Sequence, residues 1–221
     1  MGSTIGEILP LAVGVALSPL PIVSVILMLS TPRGKANGLL FLLGWFVGCA
    51  VVCAIGTTLS SAASSGDTAP STVTRVVVSV LGALLLLLAI KQWRSRPKPG
   101  TEPPLPKWMQ AMDTVTPPKA LVIAFLLSAV NPKNLMLGLA AGSTIAAASL
   151  AGTQQAVAIA VFSLIAMIGV AIPFVIYIGA GAKAEHILGD LKTWMVAHNA
   201  AIMAVLFLIF GVKLLGSGLG G

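Results

Sequence analysis

The chain has 221 residues, 57% of them hydrophobic and only 9% charged, with a net charge of +7. A charged fraction so far below the roughly one quarter of soluble domains excludes an ordinary soluble fold, and recurrent runs of about 18 or more apolar residues read as a polytopic membrane protein. The cations cluster in a few short loops, as membrane topology requires, so the positive balance is not a nucleic-acid signature.

Span one is expected over about Glu7–Leu29. It lacks a basic leader and a convincing cleavage site, so it is expected to stay in the protein and not to act as a signal peptide. Its middle reads Leu17-Ser18-Pro19-Leu20-Pro21. Each proline lacks an N–H and collides with the carbonyl four residues back, here Val15 and Leu17, so the helix should break near its centre. Thr31-Pro32-Arg33-Gly34-Lys35 makes a short cationic turn. Span two, about Gly38–Leu59, carries Trp45 and a Gly44-x-x-x-Gly48 pair that suits close helix packing. Its two cysteines, Cys49 and Cys53, share one helix face as small packing thiols. A redox pair is the alternative.

A Ser/Ala/Thr/Gly loop is expected from Ser60 to Thr74, then span three over about Arg75–Ile90, ending in the interfacial anchor Lys91-Gln92-Trp93-Arg94. Residues 94–107 contain five prolines and four cations and read as a linker. Trp108, Met109, Met112 and Val115 follow at helical spacing and suit a short helix on the membrane surface. Thr116-Pro117-Pro118 suits a helix start, with Thr116 as cap.

Span four holds the most unusual stretch, Ser128-Ala129-Val130-Asn131-Pro132-Lys133-Asn134, in which Lys133 is the one charge of a long apolar run. A lysine in mid-membrane costs roughly 3 kcal/mol and usually faces a cavity or a partner. Pro132 frees the carbonyl of Ser128, and the side chains of Ser128, Asn131 and Asn134 are expected to help satisfy the broken turn. The functional reading is a discontinuous helix that gathers polar groups and a lysine at one depth. The alternative is a snorkelling lysine beside a structural kink. Span five is expected over about Ala156–Ile178, with Pro173 inside it. Residues 183–196 then form an amphipathic segment, and span six runs over about Asn199–Leu215 with Lys213 near its end.

The loops after spans one, three and five carry two, six and two cations, and the opposite side offers only Arg75. Both termini are therefore expected outside the cytoplasm. The breaks at Ser18-Pro19 and Asn131-Pro132, one per half, suggest two inverted three-helix repeats, whose broken first helices would meet near midplane. The expected organisation is an all-α membrane protein of six helices. Residues 1–93 form the first repeat, 94–118 a cytoplasmic basic linker with a short interfacial helix, and 119–221 the second repeat. The candidate substrate-binding residues are Ser18, Pro19, Pro21, Ser128, Asn131, Pro132, Lys133 and Asn134. No Walker-type loop, metal-ligand cluster or Ser-His-Asp set is evident, so neither an enzyme nor a cofactor is expected.

Leu9-Pro10, Gly14, Ala16, Ser18-Pro19 and Pro21, together with Gly44-Trp45, Leu105-Pro106-Lys107-Trp108-Met109, Leu127 to Asn134, and Asn199 to Val205, resemble the GAP family. These are the glycopeptidolipid- and sulfolipid-addressing proteins of mycobacteria and relatives. The resemblance covers essentially the whole chain, and the Asn-Pro-Lys-Asn and Asn-Ala-Ala-Ile-Met-Ala stretches are its most specific parts. It implies a branch of the lysine exporter superfamily, a six-span exporter-like fold in the plasma membrane, and a role in moving glycolipids to the cell envelope. The expected partner is a membrane lipid or glycolipid substrate, with a lipid pump and a second copy of the chain in a homodimer as further candidates, and no nucleic acid. The competing readings are an exporter of amino acids or other small polar solutes, an accessory subunit of a lipid pump, and a six-span thiol–disulfide conduit. The conduit expects one cysteine in each half, whereas here both lie on span two.

Overall fold

The computed structural model describes residues 1–63, 72–96, 112–148 and 150–219. These residues form eight α-helices and no strand: α1 (Gly2–Ala16), α2 (Pro19–Leu29), α3 (Gly34–Ala63), α4 (Thr72–Arg94), α5 (Pro117–Ala129), α6 (Pro132–Ala147), α7 (Gly152–Gly179) and α8 (Ala184–Leu219). Single 3-10 turns at Met112–Thr114 and Gly181–Lys183 precede α5 and α8. Among the described residues, α3, α7 and α8 are each long and apolar enough to cross a membrane. The pairs α1–α2 and α5–α6 also reach that length together, bent by 55° and 67°. The chain is a membrane-embedded helical protein with three clear spans, or five if each bent pair is one.

Both bends sit at the sequence-predicted prolines and share one local design. Ser18 (φ −112°, ψ 101°) and Asn131 (φ −59°, ψ 120°) leave the helical region, as a residue before proline must. Pro19 and Pro132 then open α2 and α6 at the first helical position, where a missing N–H costs nothing. Pro10 and Pro173 lie inside α1 and α7.

The described chain falls into two compact units, residues 1–65 with 105–192 and residues 66–104 with 193–221. In the first unit α3 packs against α2, α5, α6 and α7, while α1 packs against α6 and α7. Lipid removes the hydrophobic drive between helices, so small residues and interhelical hydrogen bonds must supply the contact. Gly44 lies under the Leu121 carbonyl and Gly48 against the Ser128 hydroxyl, which places the predicted glycine pair on the α3–α5 seam. Gly142 of α6 lies against the Cys53 carbonyl of α3. Fully buried Trp45 donates its indole N–H to the Ala166 carbonyl of α7 at 3.0 Å and stacks on Phe41. Cys49 and Cys53 are buried free thiols on the inner face of α3.

In the second unit α4 meets the later part of α8 through Gly82 and Gly211, where a side chain at either would strike Leu215 or Leu86. Trp93 at the end of α4 stacks under the Arg96 guanidinium, 4.0 Å from its ring centre.

Three local expectations change. The amphipathic segment and span six are one continuous helix, α8, because nothing at His198-Asn199 interrupts the backbone ladder. In its first part Ala184 and Leu188 are buried, whereas Ile187 and Trp194 are exposed, and Trp194 stacks on His198 at 4.6 Å. The loop expected from Ser60 is helical up to Ala63, and the helix after it already begins at Thr72. Most of the linker and the start of the surface helix, residues 97–111, lie outside the described residues, and Met112–Thr114 is a 3-10 turn.

Candidate functional site

The break between α1 and α2 leaves a row of orphaned carbonyls. Ser18 turns its N–H to the Ala16 carbonyl at 2.9 Å, so the Gly14 carbonyl, four residues back, loses its helical donor. Pro19 and Pro21 have no N–H for the carbonyls of Val15 and Leu17. The chain satisfies all three. The Ser18 hydroxyl donates to Val15 at 2.7 Å, and the Lys133 ammonium donates to Gly14 at 2.8 Å and to Leu17 at 3.4 Å. The third Lys133 proton goes to the Ser18 Oγ at 2.7 Å.

The break between α5 and α6 is closed by its asparagines. Asn131 Oδ1 caps the Lys133 backbone N–H at 3.1 Å, and Asn134 Nδ2 donates to the Leu127 carbonyl at 3.1 Å. Asn134 Oδ1 faces Ser18 Oγ at 3.3 Å. A hydroxyl has one proton, and the shorter Val15 contact claims it. Ser18, Lys133 and Asn134 are all at least nine-tenths buried, at 3%, 8% and 2% exposure. No carboxylate pairs with Lys133 among the described residues. The charge is held at the C-terminal end of α1, where the helix dipole favours a cation.

Of the eight candidate residues, the structure gathers Ser18, Lys133 and Asn134 into one cluster joining the two breaks. Pro19, Pro21 and Pro132 shape the breaks, and Asn131 acts as a local cap. Ser128 turns away: its hydroxyl donates to Phe125 at 2.9 Å and packs against Gly48 of α3. Sequence reasoning marks the Leu17 carbonyl as freed by Pro21, but it misses the Gly14 carbonyl and misses that Lys133 is the donor to both. Gly169 of α7 lies under the adjacent Ala16 carbonyl and lets α7 press on the same break.

A second feature lies at the far ends of the same two helices. A cavity of about 480 Å³ opens between the first turns of α1 and the last turns of α6, lined by Ser3, Thr4, Glu7, Ser143 and Thr144 among others.

A family model described as Sap, sulfolipid-1-addressing protein, matches residues 8–220. The chain belongs to this family. The match includes both helix breaks and the residues of the Lys133 cluster. No curated protein and no solved structure matches the chain.

Proposed function

We propose that this sulfolipid-addressing family member exports a glycolipid with an anionic group, of the glycopeptidolipid or sulfolipid kind, across the plasma membrane. The Lys133–Ser18–Asn134 crossing is the point that engages the head group. One observation carries the reading: a lysine is buried between two broken helices with only neutral oxygens as partners. Such a cation is costly in lipid and is ordinarily functional. A sulfate or phosphate oxygen makes a charge-assisted bond roughly twice as strong as a neutral one. It would displace the longest of the three Lys133 bonds, that to Leu17, and so loosen α1 from α6. Binding would then be coupled to a change at the breaks.

In this reading α1–α2, α3, α4, α5–α6, α7 and α8 are six spans, arranged as two inverted three-helix repeats as in lysine exporter-like proteins. The matched cap-then-proline design of the two breaks supports that symmetry, as substrate sites between inverted repeats are built from discontinuous helices. The cation count supports termini outside the cytoplasm. Energy would come from a gradient or a partner pump, since no nucleotide-binding loop is evident in the sequence.

The test is reconstitution in liposomes with a fluorescent sulfated glycolipid and its unsulfated counterpart. The chain should speed transfer of the sulfated lipid between leaflets, and Lys133→Met should remove the preference. Equal transfer of both lipids, with or without an imposed proton gradient, would contradict the reading.

A further inference from the structure

Glu7 and the hydroxyls around it take no part in the Lys133 cluster, yet they converge. The cavity between α1 and α6 is about 480 Å³, within the roughly 300–1,000 Å³ of small-molecule sites. Its wall carries four hydroxyls, those of Ser3, Thr4, Ser143 and Thr144, and the carboxylate of Glu7. Thr144 donates back to the Ala140 carbonyl of its own helix at 3.0 Å. Among the described residues, the hydroxyls of Ser3, Thr4 and Ser143 and the Glu7 carboxylate have no hydrogen-bond or ion-pair partner, and Ser3, Glu7 and Ser143 are exposed.

The lining selects a chemical class. No lysine or arginine side chain lines the cavity, and Met1 with its amino terminus shares the lining with the Glu7 carboxylate, so the site offers an anion no dedicated cationic side chain and no strong net charge of either sign. No aromatic ring lines it, so it lacks the cage that holds quaternary ammonium groups. It is also far too large for a bare ion. Hydroxyls that both donate and accept, beside a carboxylate that accepts two bonds at once, match the vicinal hydroxyls of a sugar ring. From Glu7 to Gly14 is seven residues of helix, or about 10 Å at 1.5 Å per residue. The cavity therefore sits one short molecule's length along α1 from Lys133.

We infer that the cavity lined by Ser3, Thr4, Glu7, Ser143 and Thr144 binds the neutral, hydroxyl-rich part of a glycolipid head group. This deepens the proposed export function by dividing recognition in two: the anionic group belongs to Lys133, and the sugar to the α1–α6 cavity.

The test uses the full chain in phosphatidylcholine nanodiscs, with Cys49→Ala and Cys53→Ala so that a single added thiol reports. Ser143 is exposed on the cavity wall, and Ser143→Cys is labelled with a small neutral maleimide. The probes are octyl glucoside, octyltrimethylammonium and octyl sulfate, compared at equal membrane-bound amounts. Octyl glucoside should slow labelling in a saturable way, and the other two should not. Glu7→Gln, which keeps the shape and loses the charged acceptor, should raise the half-protecting amount about tenfold. Lys133→Met should leave this protection intact. Protection by octyltrimethylammonium would mean an amine site, equal protection by all three would mean tail insertion, and no protection would mean no site; each overturns the inference. Persistent glucoside protection alongside normal lipid transfer by Lys133→Met would overturn the Lys133 proposal alone.

Discussion

Removal of the Ser18 hydroxyl probes the cluster most sharply, because one atom serves two partners. It accepts from Lys133 at 2.7 Å and donates to Val15 at 2.7 Å. Ser18→Ala therefore orphans the Val15 carbonyl, which Pro19 had already deprived of its helical donor, at about 1–3 kcal/mol for a buried acceptor. It also removes one Lys133 bond. Interhelical bonds in membranes average about 0.6 kcal/mol and reach about 1.7, and a charge-assisted bond of this length belongs at the upper end. The sum is a loss of about 2–4 kcal/mol. Ser18→Thr keeps the oxygen and suits the extended backbone at Ser18, so it should recover most of that loss. The assay is reversible unfolding in bicelles, run as a double-mutant cycle with Lys133→Met. In the Lys133→Met background Ser18→Ala should cost only its Val15 share, giving a coupling of about 1–2 kcal/mol. Coupling within error of zero, or a Ser18→Ala loss below about 0.5 kcal/mol, would refute the bonding scheme.

Gly142→Val should destabilise by at least about 1–3 kcal/mol, because even a Cβ there would lie 2.5 Å from the Thr57 nitrogen as well as against the Cys53 carbonyl; thermal unfolding in detergent checks it. Replacing Cys49 and Cys53 together by alanine should leave export intact and cost about 1 kcal/mol at each site, and lost export at normal protein levels would revive a redox role. In that cysteine-free chain, a thiol placed at Gly152, where nothing lies within 4 Å, should react with an impermeant reagent on intact cells. A thiol placed at exposed Lys35 should not, and the opposite pattern would overturn the orientation.

The breaks were legible in the sequence because proline acts locally: Ser18-Pro19 and Asn131-Pro132 dictate their own backbone whatever packs around them. The Gly44 and Gly48 contacts were legible for a similar reason, since a missing side chain on a helix face invites a close neighbour. The Lys133 acceptors were not. Pro21 marks the Leu17 carbonyl as freed, but which carbonyls a lysine meets depends on how α1 crosses α6, and nothing in the sequence marks the Gly14 carbonyl. Ser128 was placed in the cluster by its nearness to Pro132, but its position in α5 turns it toward Gly48. The unity of α8 was hidden because polar His198 and Asn199 read as a boundary, although neither stops a helix. The cavity around Glu7 was also hidden, because its walls come from residues more than 130 positions apart in the chain.

Export by Lys133 variants shows whether the buried cation draws the anionic head group. Lys133→Arg keeps the charge with a wider donor fork and should retain partial activity. Lys133→Met keeps the length without the charge, and Lys133→Ala removes both. The measurement is surface-exposed anionic glycolipid at matched levels of membrane-inserted protein. Lys133→Arg should export partially and Lys133→Met and Lys133→Ala not at all; full export by Lys133→Met would mean that no cation is needed at the break.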